Sequence, residues 1–172
     1  MKFLKSIPIL FILLAIFPST GSIYAAGEDP KTYKVLASSN KKLSIANVIN
    51  FLEEGDILIE KGEFDKAKDS FDKARNLAKQ LAGFYKDLNS SYRGLDARIP
   101  KEMAEKGKDS LRIWAESNAR LAAVYKRKKQ PEVAVPLLVE IIRLMSPTSS
   151  EGKKAYKELI QIGFVETPYR GS

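Results

Sequence analysis

The chain of 172 residues contains no cysteine and no histidine. The first absence excludes disulfides, thiolate nucleophiles and zinc sites of the usual Cys/His type. The second excludes imidazole general bases, histidine metal ligands and Ser-His-Asp triads. No cofactor and no metal is implied by what remains, and the expectation is a protein that is not an enzyme. Alternating apolar and polar residues are also missing over any useful length, so no sheet is expected. With 44% hydrophobic and 29% charged residues, the composition is that of a globular chain, the length allows one domain, and the missing alternation leaves an all-α fold as the expectation.

Long apolar runs are scarce too. The single one, Ile7 to Phe17, is interrupted by Pro8 and falls short of the roughly 20 residues that span a bilayer. Lys2 and Lys5 precede it. Pro18 to Ser22 break it, and Ile23-Tyr24-Ala25 offers a small residue for cleavage. These three parts predict a secretory signal peptide over residues 1–25, with an uncleaved signal anchor as the rival. Export to a bacterial periplasm is the default, and a thylakoid lumen uses the same kind of signal. Export also argues against nucleic acid as a partner, despite the net charge of +8.

What is present is helical periodicity. Residues 26–42 are polar and read as a loosely docked arm. A first helix is expected from near Ser44 to Glu60, and a second from Phe64 to about Leu88. In the second, Phe64, Ala67, Phe71, Ala74, Ala78, Leu81, Tyr85 and Leu88 form a sustained seam of period 3.5. A loop with Gly94 leads to a third helix, with Pro100 in its first turn and Lys128 near its end. Trp114 and Tyr125 fall on its apolar seam and are expected in the core. A fourth helix runs from Gln130-Pro131 to about Met145, with Pro136 able to bend it. A fifth ends at Ile162 before Gly163, and Thr148 with Glu151 suggests a capping box at its start. Residues 164–172 read as a tail.

Within this pattern, residues 48–79 resemble a tetratricopeptide repeat. Phe51, Gly55, Leu58, Gly62, Phe64, Ala67, Phe71 and Ala74 fall at the family's positions 4, 8, 11, 15, 17, 20, 24 and 27. A glycine inside a helix costs about 1 kcal/mol relative to alanine. Gly55 therefore needs a packing reason, for which close approach of the second helix opposite Ala67 is expected. A looser copy covers residues 115–147, with Leu121, Ala122, Tyr125, Ala134 and Leu138 at positions 7, 8, 11, 20 and 24. There Lys129 stands in place of the turn glycine. The domain would span residues 43–163, with about five antiparallel helices, the fifth as the capping helix such stacks need. A plain four- or five-helix bundle is the competing reading.

The resemblance implies a concave groove lined by Ile49, Leu52, Asp56, Ile59 and Glu60, then Glu116, Ala119, Ala123, Lys126 and Arg127. Leu52 and Ala119 do not reproduce the polar clamp that some members use for peptide carboxylates. An apolar or amphipathic helix of a protein or peptide partner is the implied guest. Residues 26–42 or a second copy of the chain, as a homo-oligomer, are further candidates.

Two charge clusters invite chemistry. Glu53, Asp56 and Glu60 share a helical face, which Lys61, Lys66 and Lys68 are expected to neutralise. Lys126, Arg127, Lys128 and Lys129 form a basic patch able to meet an anionic membrane surface or to favour the helix C-terminus. Residues 26–91 balance 11 basic against 11 acidic side chains, whereas residues 92–172 carry 16 against 10. The alternative function is thus an assembly subunit docked on a membrane complex through its basic half.

Overall fold

A computed structural model describes residues 42–170 of the protein. The expected signal peptide and nearly all of the N-terminal arm lie outside the described residues. Five helices follow in order: α1 (Ile45–Glu60), α2 (Phe64–Ser91), α3 (Arg98–Arg127), α4 (Pro131–Met145) and α5 (Ser150–Gln161). Each packs on the next in the chain, and α1 also reaches α3. The fold is all-α.

Local chemistry sets the boundaries. The Ser44 hydroxyl caps α1 by accepting from the Asn47 amide at 3.2 Å. Just before α3, the Asp96 carboxylate accepts from the Arg98 amide at 2.9 Å, and Pro100 falls in that first turn. Pro131 opens α4, which continues unbroken through Pro136. The expected capping box at Thr148 does not form. Ser149 caps α5 instead, accepting from the Gly152 amide. Gly152 packs so closely on the Ser146 carbonyl that a Cβ would sit 2.0 Å from its oxygen, which fixes the register of that turn one residue later.

Three helices end in the same turn. After α1, the amides of Lys61, Gly62 and Glu63 donate to the carbonyls of Ile57, Ile59 and Leu58. After α3, Lys128, Lys129 and Gln130 donate to Val124, Lys126 and Tyr125. After α5, Ile162, Gly163 and Phe164 donate to Glu158, Ile160 and Leu159. This is the Schellman pattern, whose penultimate residue needs a left-handed backbone. Gly62, Lys129 and Gly163 supply it with φ of 75°, 59° and 76°. The interval from Gly62 to Lys129 is close to twice that from Lys129 to Gly163.

The helices differ widely in length. α1 and α4 have 16 and 15 residues, whereas α2 and α3 have 28 and 30. α2 and α3 therefore extend past their neighbours by at least a dozen residues, about 18 Å at 1.5 Å per residue. The extensions pair as a two-helix arm closed by residues 92–97.

The core follows the seam. Ala67, Phe71, Ala74, Ala78 and Leu81 of α2 are buried, as are Trp114, Ala115, Leu121 and Ala122 of α3. Tyr125 is half-buried against them. The packing reason for Gly55 is real, but its partner is Phe71 rather than Ala67. A Cβ on Gly55 would lie 2.3 Å from Phe71 Cε1. In the second copy expected from the sequence the corresponding positions are Ala122 and Leu138, both buried. Asn118 then holds the place that Phe51 has in the first copy, and Glu140 that of Lys73. Lys73 Nζ lies 5.8 Å from the Phe51 ring centre, and the Asn118 amide donates to Glu140 at 2.9 Å.

Candidate functional site

One face of the helix stack carries a run of three connected hollows. The first, about 280 Å³, has a floor of Ala115, Ala119, Leu138, Ile141 and Ala155 beneath the charged groups of α3 and α5. The second, about 420 Å³, lies between Ile45, Ile49 and Leu52 of α1 and Ile113 of α3. The third is a narrow cleft of about 110 Å³ between Asp56, Ile59, Ala123 and Arg127. The first two share Arg112 and Glu116, and the last two share Arg120. They form one groove whose walls are α1, α3 and α5. A separate hollow of about 300 Å³ lies beside Arg75 and Glu140.

Most of the groove residues expected from the sequence line it. Ile49 and Leu52 wall the middle hollow, Ile49 open to solvent and Leu52 buried. Asp56, Ile59, Ala123 and Arg127 wall the cleft. Glu116 belongs to the first two hollows, and Ala119 to the first. Glu60 and Lys126 do not line the hollows. Glu60 sits at the end of α1, and Lys126 Nζ is 2.5 Å from Glu158 of α5.

The central polar device has no counterpart among the sequence expectations. Arg120 Nε donates to both carboxylate oxygens of Asp56 at 3.0 Å, and its Nη1 reaches Glu116 at 2.7 Å. Burial works against this guanidinium's charge. Its hydrogen bonds to Asp56 and Glu116 outweigh that cost and hold its pKa above the ordinary value. Asp56 and Arg120 are far apart in the chain, so no local pattern announces the pair. The contribution of α5 to the groove is equally absent from the expectations. Its signal is Gly163, whose helix-ending turn after α5 matches those at Gly62 after α1 and Lys129 after α3.

A second polar cluster braces α2, α3 and α4. Arg75 Nε donates to Asn118 at 2.8 Å and its Nη2 to Glu140 at 2.9 Å. Burial raises the Glu140 pKa, but hydrogen bonds from Arg75 and Asn118 prevail and hold it below the usual value. The buried indole Nε1 of Trp114 makes no hydrogen bond among the described residues.

The charge clusters are differently partnered than expected. Asp56 is held by Arg120, while Lys66 pairs with Glu63, and Lys68 with Asp69 and Asp72. Among the described residues, no group of three or more Asp or Glu is arranged to hold a metal ion. In the basic patch, Lys126 is bound to Glu158 and Lys128 to Asp65. Arg127 and Lys129 have no carboxylate partner among the described residues. Half of the patch is thus neutralised within the fold, which weakens its pull on an outside anion.

The chain matches no protein-family model and no curated protein.

Proposed function

We propose that this is an exported, non-enzymatic helical-repeat protein of tetratricopeptide type, whose groove between α1, α3 and α5 binds a segment of another protein. The continuity of the three hollows carries the reading: an apolar floor of alanine and larger aliphatic side chains runs between charged rims, which suits a helix or extended segment. Three like helix-ending turns support the repeat character, since their intervals are close to two repeats and one repeat of roughly 34 residues. The groove floor is mostly alanine and aliphatic, so shape and apolar contact would supply affinity, and the rim would set orientation.

The test is selection of binding peptides from a random display library, followed by a counter-screen. Ala119→Trp and Ala123→Arg should fill the groove and abolish binding of peptides that the wild-type chain retains. Peptides that bind both proteins equally would sink the groove reading.

Docking on a membrane through Lys126 to Lys129 is the less favoured reading, because Glu158 and Asp65 already engage two of those lysines.

A further inference from the structure

Among the described residues, the arm formed by the far halves of α2 and α3 has no third layer. α1 and α4 are too short to reach it. Two helices cannot bury their apolar seams completely against each other, and the consequence is visible. Phe84 and Leu88 of α2 are 44% and 43% exposed, Tyr92 is 39% exposed, and Leu95 at the tip is 79% exposed. Phe84, Leu88 and Tyr92 recur every fourth residue, so they stand along one side of the arm. Among the described residues nothing covers them. A turn is ordinarily polar, which makes Leu95 the outlier.

Charge narrows the occupant. From Leu88 to Lys101 the charged residues are Arg93, Asp96, Arg98 and Lys101, flanked by Asp87 and by Glu102, the latter committed to Lys106 at 2.6 Å. Asp96 is committed to Arg98, at 2.7 Å. Arg93 is hydrogen-bonded to the neutral Asn89, and neither it nor Lys101 has a carboxylate partner among the described residues. The tip therefore offers apolar side chains, one tyrosine and two unmatched cations. Pairing two arms symmetrically would bring like cations together, which disfavours a second copy of the chain. An anionic lipid surface satisfies both features: Leu95 enters the acyl boundary, Tyr92 sits at headgroup depth, and Arg93 and Lys101 meet phosphates.

We propose that the α2–α3 arm is a membrane-contact device that inserts its tip shallowly into an anionic lipid surface, leaving the groove between α1, α3 and α5 free for a partner.

The absence of cysteine gives a clean probe. Leu95→Cys in the full chain creates a single attachment site for an environment-sensitive fluorophore. Vesicles of phosphatidylcholine mixed with phosphatidylglycerol should shift its emission to the blue, and nitroxide-bearing lipid should quench it. The same label on Glu132→Cys, in α4, should do neither. Arg93→Glu with Lys101→Glu should weaken the Leu95 response about fivefold for each cation lost. Phosphatidylcholine alone should give the weaker response. The idea is overturned if the label at position 95 stays aqueous while the protein sediments with vesicles. A blue shift that grows with protein concentration in the absence of lipid would overturn it equally, by assigning the arm to self-association.

Discussion

The Phe71 ring occupies the space that a side chain on Gly55 would need, with Cε1 2.3 Å from the position of a Cβ. Both residues are buried, so neither can step aside into solvent. Gly55→Ala should therefore destabilise the fold by about 1–3 kcal/mol, in spite of the higher helix propensity of alanine. Ala122 and Leu138, both buried, hold the corresponding places in the second copy expected from the sequence: an alanine, with a leucine smaller than Phe71. Phe71→Leu alone should also cost stability by leaving a cavity. The double variant should lose less than the two single losses combined, by about 1 kcal/mol or more. Strict additivity in chemical denaturation would show that the two sites do not share that space.

Lys129 holds a left-handed backbone in a turn that Gly62 and Gly163 form without a side chain. A non-glycine residue there carries about 1 kcal/mol of strain, partly offset because glycine gains entropy in the unfolded chain. Lys129→Gly should raise stability by about 0.5 kcal/mol and Tm by about a degree or two. Its side chain makes no ion pair among the described residues that would be lost. Gly62→Ala should lower stability by about 1 kcal/mol. A destabilised Lys129→Gly protein would mean that the lysine contributes a contact the turn geometry does not reveal.

These two positions also show what the chain discloses before it folds. Helix bounds were legible to within a few residues because Ser44, Pro131 and Gly163 punctuate locally. The need for a packing partner at Gly55 was legible from propensity. Its identity was not, because Ala67 and Phe71 stand one turn apart on the facing helix and only the crossing geometry separates them. Most of the groove lining on α1 and α3 followed from a repeat register. Arg120 with Asp56, and Arg75 with Glu140, did not follow, since long charged side chains choose partners from distant parts of the chain. Thr148 failed as a cap because the tight contact of Gly152 on the Ser146 carbonyl sets the helix start.

The Arg75–Asn118–Glu140 cluster predicts a specific acid response. The folded pKa of Glu140 lies below the ordinary 4.5, so the carboxylate contributes stability that is present above about pH 4.5. That contribution falls as pH drops through the depressed folded value. Glu140→Gln should cost about 1–2 kcal/mol at neutral pH, Glu140 being mostly buried and Arg75 only partly exposed. The gap between wild type and variant should close as the solution is acidified past the ordinary carboxylate range. Urea titrations across that range check this, and a gap independent of pH would assign the loss to packing rather than charge.

The last helix should be the first to open. α5 packs mainly on α4, and its ion pair to α3 is Lys126 with Glu158 at 2.5 Å. Among the described residues no further helix follows it; instead the tail folds back, with Tyr156 Oη donating to the Thr167 carbonyl at 2.8 Å and the Tyr156 and Tyr169 rings meeting edge to face. Lys126→Ala removes the cross-link without touching the core, at a cost of about 0.5–1 kcal/mol for so partly exposed a pair. Hydrogen exchange should therefore quicken about two- to fivefold over residues 150–161 while α2 and α3 change little. Because α5 forms one wall of the first hollow, the same variant should weaken any ligand of that hollow more than one seated between α1 and α3. Uniform acceleration across all five helices would instead make the stack a single cooperative unit, with α5 no looser than the rest.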